Sequence, residues 1–249
     1  MGLSQNESFH EDDFLEHARI ITRYIDLSKA RNVLELAAGK AATTTYLARQ
    51  HQPVSFTGLD LPQGQLDIRS PRAANLILEE GDYHDLSRYS DNSFDVVYII
   101  EALCHARSKQ EVIAEVARIL RPGGYFIVFD GYASMPRGKM TDLEVLASDL
   151  TYKSMMVSAD GHYYLDFTRS VASSGLDIVL QEDLSERALP SMRRLEAKAK
   201  MFFAHPKIAR AVNKLAPNEV TANAIAAYLM PVTVQQGLHQ YWLTVARKS

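Results

Sequence analysis

The periodic part of the chain begins with a helical stripe. Phe14, Ala18, Ile21 and Ile25 recur at three- and four-residue spacing within residues 12–29, which predicts an entry helix. The apolar run Asn32–Leu36 then has the length of a buried strand. A helix from about Thr43 to Arg49 follows, then a strand over Ser55–Asp60 and a loop and helix around Gln65–Asn75. Strands over Ala74–Glu79 and Phe94–Ile100 come next. From Ser108 to Leu120, the residues Val112, Ile113, Val116, Ile119 and Leu120 share one helical face. Arg121-Pro-Gly-Gly ends that helix, because proline has no ladder donor and glycine accepts left-handed geometry. Tyr125–Phe129 reads as a fifth strand. Strands alternating with helices predict a parallel sheet covered on both faces.

The pattern changes beyond Asp130. Residues 139–157 read as a Met- and Leu-rich helix, His162–Ser174 as another, and Asp177–Leu184 as a strand. Helical periodicity then fills 186–238 before a last strand over Gln240–Ala246. An insertion of that length is too long for an ordinary connection, so it is expected to carry its own helices and to act as a lid. The expected organisation is an N-terminal helical segment over 1–30, a core over 31–185 and 239–249, and a helical lid over 186–238. The fold class is α/β: a doubly wound, mostly parallel seven-stranded sheet with the lid inserted before the last strand.

Composition narrows the function. With 249 residues, 47% hydrophobic and 23% charged, the chain has enough apolar material for one sizeable core and a cap. Its net charge of −3 gives no field that gathers nucleic acid or an anionic membrane. There is no basic stripe interleaved with aromatics and no Asn/Asp-Pro-Pro-Tyr-like motif for a flipped base, so no nucleic-acid partner is expected. The single cysteine, Cys104, excludes an intrachain disulfide and leaves no cysteine cluster for a metal site. Met1–Phe14 is polar and acidic where a secretory signal needs a basic start and an apolar run, and no stretch approaches the roughly 20 apolar residues of a membrane span. The expectation is a cytoplasmic protein with no integral membrane segment; a homodimer remains open.

The chemistry gathers where strands end. In Glu35-Leu-Ala-Ala-Gly-Lys-Ala41 the side chains are minimal, so a ligand can approach main chain at the turn after the first strand. One glycine is too few for the Gly-x-Gly-x-x-Gly pyrophosphate cradle, which disfavours a dehydrogenase. Asp60, ending the second strand, suits the bidentate acceptance of a ribose diol. Asp82 and Tyr83 follow the third strand, where a carboxylate can accept from an exocyclic amine and a ring can lie against a base. A fourth strand ends in Glu101, and Glu101-Ala-Leu-Cys-His-Ala106 follows it. His105 has the residue type of a general base and Glu101 can stabilise positive charge. Each also has a plain structural reading: Glu101 as a helix cap, His105 as a loop residue, Cys104 as a packed small side chain.

In this order the motifs resemble a class I S-adenosylmethionine-dependent methyltransferase over about residues 30–130. The resemblance implies a Rossmann-like core, S-adenosyl-L-methionine as cofactor and S-adenosyl-L-homocysteine as product. Glu35, Ala37 and Gly39 match the loop beside the methionine part of the cofactor, Asp60 the ribose-binding acid, Leu61 its apolar neighbour against adenine, and Asp82 with Tyr83 the adenine edge. Alanine stands at two of the family's three usual glycine positions, Ala37 and Ala41. The Glu101–Ala106 stretch is locally similar to sterol C-methyltransferases and other small-molecule methyltransferases, which places Glu101 beside the cofactor's sulfonium and makes Glu101 and His105 the catalytic candidates. The implied reaction is methyl transfer to a small apolar or amphipathic molecule, with a carbon acceptor of isoprenoid, sterol-like or lipid type favoured. Nitrogen or oxygen methylation of a small secondary metabolite, and a non-catalytic cofactor-binding role, remain open. Tyr152, Met155, Met156, Tyr163, Tyr164, Phe167, Met201, Phe202, Phe203, Tyr228 and Met230 offer soft and aromatic surface beyond the sheet, with core packing as the plain reading of each.

Overall fold

The computed structural model describes residues 1–62, 73–157, 162–205, 207, 209–210 and 218–249. Most of the loop and helix read around Gln65–Asn75 therefore lies outside the described residues. Among the described residues, seven strands form one sheet in the order β3-β2-β1-β4-β5-β7-β6. They are β1 (Asn32–Leu36), β2 (Ser55–Asp60), β3 (Leu76–Glu80), β4 (Phe94–Ile100), β5 (Leu120–Ala133), β6 (Leu176–Asp183) and β7 (His239–Lys248). The pairs β1–β2, β1–β4, β2–β3 and β4–β5 are parallel. The chain order turns back between β1 and β4, so the carboxyl ends of these two strands flank a topological switch point, where ligands bind in open α/β sheets.

The helices are α1 (Glu16–Tyr24), α2 (Ala42–Gln50), α3 (Lys109–Ile119), α4 (Asp142–Ser154), α5 (Tyr164–Ser173), α6 (Ser185–Phe203) and α7 (Asn218–Gln235). The insertion does carry its own helices, α6 and α7. Helix α3 starts where the Ser108 hydroxyl accepts from the Glu111 amide, so its N-cap is Ser108. Arg121-Pro-Gly-Gly is not a loop. The helix stops at Ile119 and β5 begins at once with Leu120, and the register against β4 shifts between Phe94 and Val96 to absorb the extra residues.

The chain divides into two compact units. One comprises 14–130, 167–182 and 242–249 and holds most of the sheet; the other comprises 1–13, 131–166 and 183–241 and is mainly helical. In the sheet unit, Val33, Leu34, Leu36, Phe56, Val97, Tyr98, Ile99, Ile127, Val128 and Phe129 are buried, the strand positions read as apolar in sequence. At the amino ends of the strands Asp95 accepts from the Arg31 and Asn32 amides and from Arg121, which pins β1 to β4 and β5.

In the helical unit, α4 begins with a capping box between Thr141 and Glu144. Its interior stacks Tyr132 on His162 with ring centres 5.2 Å apart, and Tyr152 meets both His162 and His239. His239 sits between two hydroxyls, Ser148 Oγ at 2.9 Å and Thr233 Oγ1 at 3.0 Å. The N-terminal segment belongs to the same unit: Leu3 is fully buried and the Gly2 amide donates to Ser191 Oγ.

Candidate functional site

The turn after β1 is unusual for its residue types. Ala37, Gly39 and Ala41 all have positive φ, between 53° and 54°. These are the three positions at which the sequence resemblance expects glycine, and the backbone keeps the glycine conformation although two of them carry a Cβ. Left-handed geometry costs an L-residue about 1–2 kcal/mol, so the surroundings must impose it. They do so through hydrogen bonds. The Ala38 amide donates to the Leu59 carbonyl, the Ala41 amide to the Ala38 carbonyl, and the Gly39 amide to Asp60 Oδ2 at 2.6 Å. Gly58 in β2 allows the approach, since a Cβ there would come within 3.2 Å of the Ala38 Cβ.

Asp60 thus ties β2 to the turn after β1. Its second oxygen accepts from the Leu61 amide at 2.7 Å. A carboxylate oxygen has two lone pairs, so each can still accept from a hydroxyl of a ligand. A Cβ added at Gly39 would meet nothing within 4 Å, so open space lies beside the turn, and Leu61, next to Asp60 in the chain, is exposed. The turn, the carboxylate and an apolar neighbour together fit a nucleoside with its ribose diol on Asp60.

Glu35 is a different kind of acid. It is buried in β1, accepts from the Thr44 amide at 3.3 Å, and burial pushes its carboxyl up to about 8 despite the pull of Thr44 and the Tyr98 hydroxyl. At neutral pH it is largely protonated, and it braces the start of α2 from below the turn.

Asp82 and Tyr83 are both engaged. The Asp82 carboxylate accepts from the His84 amide, from His84 Nδ1 at 2.6 Å and from Arg107 at 3.0 Å. Burial raises its pKa, but these partners outweigh that and hold the carboxyl below its usual range. Tyr83 is buried and its hydroxyl donates to the Ala102 carbonyl; burial, with Cys104, Asp82 and Asp130 nearby, pushes that hydroxyl up to about 12. The residues read as an adenine edge therefore also fasten the segment that follows β4.

Glu101 follows β4 directly with φ 53°, and its amide donates to the Phe129 carbonyl. Three of the non-glycine residues with positive φ, Ala37, Ala41 and Glu101, thus lie at the carboxyl edge of the sheet, where strain is characteristic of functional sites. A short 3₁₀ turn, Leu103–His105, follows; Leu103 and Cys104 are buried and His105 is exposed. Burial, with Asp130 beside it, raises the Cys104 thiol well above its ordinary value, which leaves it an inert packed side chain.

Asp130 was not singled out in the sequence. It lies within β5, directly after the apolar run Tyr125–Phe129, it is only 3% exposed, and it accepts from the Cys104 amide at 2.8 Å. A carboxylate closing an apolar run was the signal that could have found it. Among the described residues no group of three His, Cys, Asp or Glu side chains could hold a metal ion, and no helix is long and apolar enough to cross a membrane.

Comparisons with known proteins agree with this architecture. A methyltransferase-domain family model matches residues 34–128. The methyltransferase GfsG of Streptomyces halstedii is 26% identical over 172 residues, 67% of this chain and 60% of that protein. The phthiotriol/phenolphthiotriol dimycocerosates methyltransferase of Mycobacterium tuberculosis is 31% identical over 178 residues, 70% of this chain and 61% of that one. The matches thus span about three fifths of these relatives' own lengths. Among solved structures, the [4+2]-cyclase SpnF superposes with a TM-score of 0.78 at 18% identity, covering 99% of this chain and 86% of that one. Geranyl diphosphate C-methyltransferase of Streptomyces coelicolor, solved with S-adenosyl-L-homocysteine, superposes with a TM-score of 0.69 at 15% identity, covering 100% and 88%. These likenesses at low identity establish the fold. Residues 34–128 match the methyltransferase-domain family, and the seven-stranded sheet has the Rossmann-like fold of the solved methyltransferases.

Proposed function

We propose that this protein binds S-adenosyl-L-methionine at the carboxyl edge of the sheet and transfers its methyl group to a small apolar or amphipathic molecule, releasing S-adenosyl-L-homocysteine. The observation that carries the reading is Asp60, held by the Gly39 amide of a turn of left-handed small residues that is open at Gly39. When bound, the cofactor supplies an activated methyl group on a sulfonium.

The chain's own residues have five tasks. The 37–41 turn admits the ligand to main chain, and Asp60 accepts the ribose hydroxyls. Leu61 offers apolar contact to the base beside the 82–83 turn. Glu101 supplies negative charge near a cationic centre. His105, exposed after β4, takes the proton that a carbon acceptor loses. Alignment and water exclusion do the rest, since a methyl sulfonium needs little covalent help.

A carbon acceptor of isoprenoid, sterol-like or lipid type is favoured by the Glu101–Ala106 stretch and by relatives whose names specify lipid substrates and geranyl diphosphate. Acceptor selection falls to the helical insertion 186–238, the lid of the sequence reading. The site of action is the cytoplasm, and the acceptor is a small molecule rather than a nucleic acid. Nitrogen or oxygen methylation of a small metabolite is the second reading within the same site. A non-catalytic cofactor-binding role is the third, favoured by alanine at positions 37 and 41.

The test is incubation of purified protein with methyl-labelled S-adenosyl-L-methionine and extract of its source, counting label by fraction. Label in the lipid-soluble fraction is expected. Label confined to small water-soluble products moves the assignment to nitrogen or oxygen acceptors, and label confined to macromolecules overturns the small-molecule reading. Cofactor binding without label in any fraction supports the non-catalytic role.

A further inference from the structure

The segment from Glu101 to Arg107 runs from the end of β4 to the start of α3, and side chains from outside it hold its backbone at three points. The Tyr83 hydroxyl donates to the Ala102 carbonyl at 3.2 Å. His84 Nε2 accepts from the Arg107 amide at 3.0 Å. Asp130 Oδ2 accepts from the Cys104 amide at 2.8 Å. The first two hold the ends of the segment; Asp130 holds its centre, the turn that leads to His105.

Asp130 differs from the other two in carrying a buried carboxyl. Burying a charge is unfavourable unless it is paired or hydrogen-bonded, and a carboxylate-to-amide bond is among the stronger ones. The register pairs Ile100 with Phe129, so Glu101 and Asp130 are the next residues along two adjacent strands. Half-buried Lys109, at the first position of α3, feels the Asp130 charge, which offsets part of the depression that burial imposes on its ammonium. One carboxylate within β5 is therefore coupled to the turn after Glu101 and to the helix after His105.

We propose that Asp130 is a positioning residue for methyl transfer: by holding the Cys104 amide it fixes the Leu103–His105 turn and thereby the placement of Glu101 and His105. This rests on the reading of those two residues as the catalytic pair. Asp130 itself need not touch cofactor or acceptor. Its effect reaches the reaction through geometry, where a displacement of about 1 Å is enough to cost roughly 100-fold in rate.

Two variants and two readouts test it. Asp130→Ala removes the acceptor; Asp130→Asn keeps an oxygen for the Cys104 amide at nearly the same volume. Asp130→Ala is expected to lower kcat by about 100-fold while the dissociation constant of S-adenosyl-L-homocysteine stays within about threefold, and Asp130→Asn to recover to within about tenfold of the parent. The second readout does not need turnover. Because Cys104 is the one cysteine of the chain, protein labelled with ¹⁵N-cysteine gives a single amide signal. Its hydrogen exchange should quicken by at least about tenfold in Asp130→Ala and stay slow in Asp130→Asn. Unchanged exchange in Asp130→Ala overturns the proposal, as does quickened exchange with unchanged kcat. Parallel loss of cofactor affinity and kcat overturns it too, because Asp130 would then be part of the cofactor site. A parent protein that binds S-adenosyl-L-homocysteine but transfers no methyl group overturns the functional reading, and amide exchange still decides whether Asp130 holds the turn.

Discussion

The sheet unit and the helical unit bury polar side chains in different ways. At the carboxyl edge of the sheet, acids end the strands or sit just within them, and main-chain amides hold them: Glu35 by Thr44, Asp60 by Gly39 and Leu61, Asp130 by Cys104. In the helical unit the buried polar groups sit among rings and hydroxyls, with His239 between Ser148 and Thr233 and against Tyr152. Of the three, Asp60 is only half-buried, and its amide-held carboxylate keeps lone pairs for a ligand. An imidazole with a hydroxyl at each nitrogen has none left. The first arrangement is suited to binding and the second to holding a fold together.

The contrast can be broken most forcefully at His239. His239→Ala opens a cavity and strands two buried hydroxyls, so it should destabilise the protein by about 3–5 kcal/mol, read by denaturant melts. If His239 is structural, the affinity for S-adenosyl-L-homocysteine of the folded fraction will not change. A selective loss of affinity would place His239 in the binding site instead.

The pH dependence of stability separates the two regions next. Burial pushes the His239 imidazole from 6.5 down to about 4. The unfolded chain then binds a proton that the folded one refuses, so stability is full above the unfolded value and is lost as the pH falls toward 4, by about 3 kcal/mol. Glu35 works in the opposite sense. Its folded carboxyl is pushed up from 4.5 to about 8, so the folded chain keeps a proton that the unfolded one releases, and stability declines as pH rises across that interval. Melts from acid to alkaline pH should show both limbs. Glu35→Gln should remove the alkaline decline alone, and a decline that survives it would contradict the assignment.

The smallest effect concerns the turn itself. Ala37→Gly and Ala41→Gly relieve a Cβ in left-handed geometry at some entropic expense, so each should stabilise the protein by about 0.5–1 kcal/mol. Together they should raise the melting temperature by about 2–8 °C. A fall in melting temperature would mean that the alanine side chains contribute packing that outweighs the strain.

Much of this was legible in sequence because it depends on local pattern. The strands ending in Asp60 and Glu101 announce themselves as apolar runs closed by a carboxylate, and the small-residue turn after Leu36 needs no tertiary knowledge. Asp130 carries the same signal, an apolar run Tyr125–Phe129 closed by a carboxylate, although β5 itself continues to Ala133. The fastening of Ala102, Cys104 and Arg107 by Tyr83, Asp130 and His84 could not be read in this way. It joins residues 19 to 26 positions apart, and only strand order brings them together. The His239 cluster was hidden for the same reason: the hydroxyl of Ser148 lies 91 positions away in sequence.

The most direct test of the account is calorimetric titration of S-adenosyl-L-homocysteine into the parent protein and into Asp60→Ala. If Asp60 is the ribose acceptor at the carboxyl edge, the parent binds, and the variant binds more weakly by about 1–3 kcal/mol, roughly 5- to 150-fold. Equal affinity in the two proteins, or no binding to a folded parent, would contradict it.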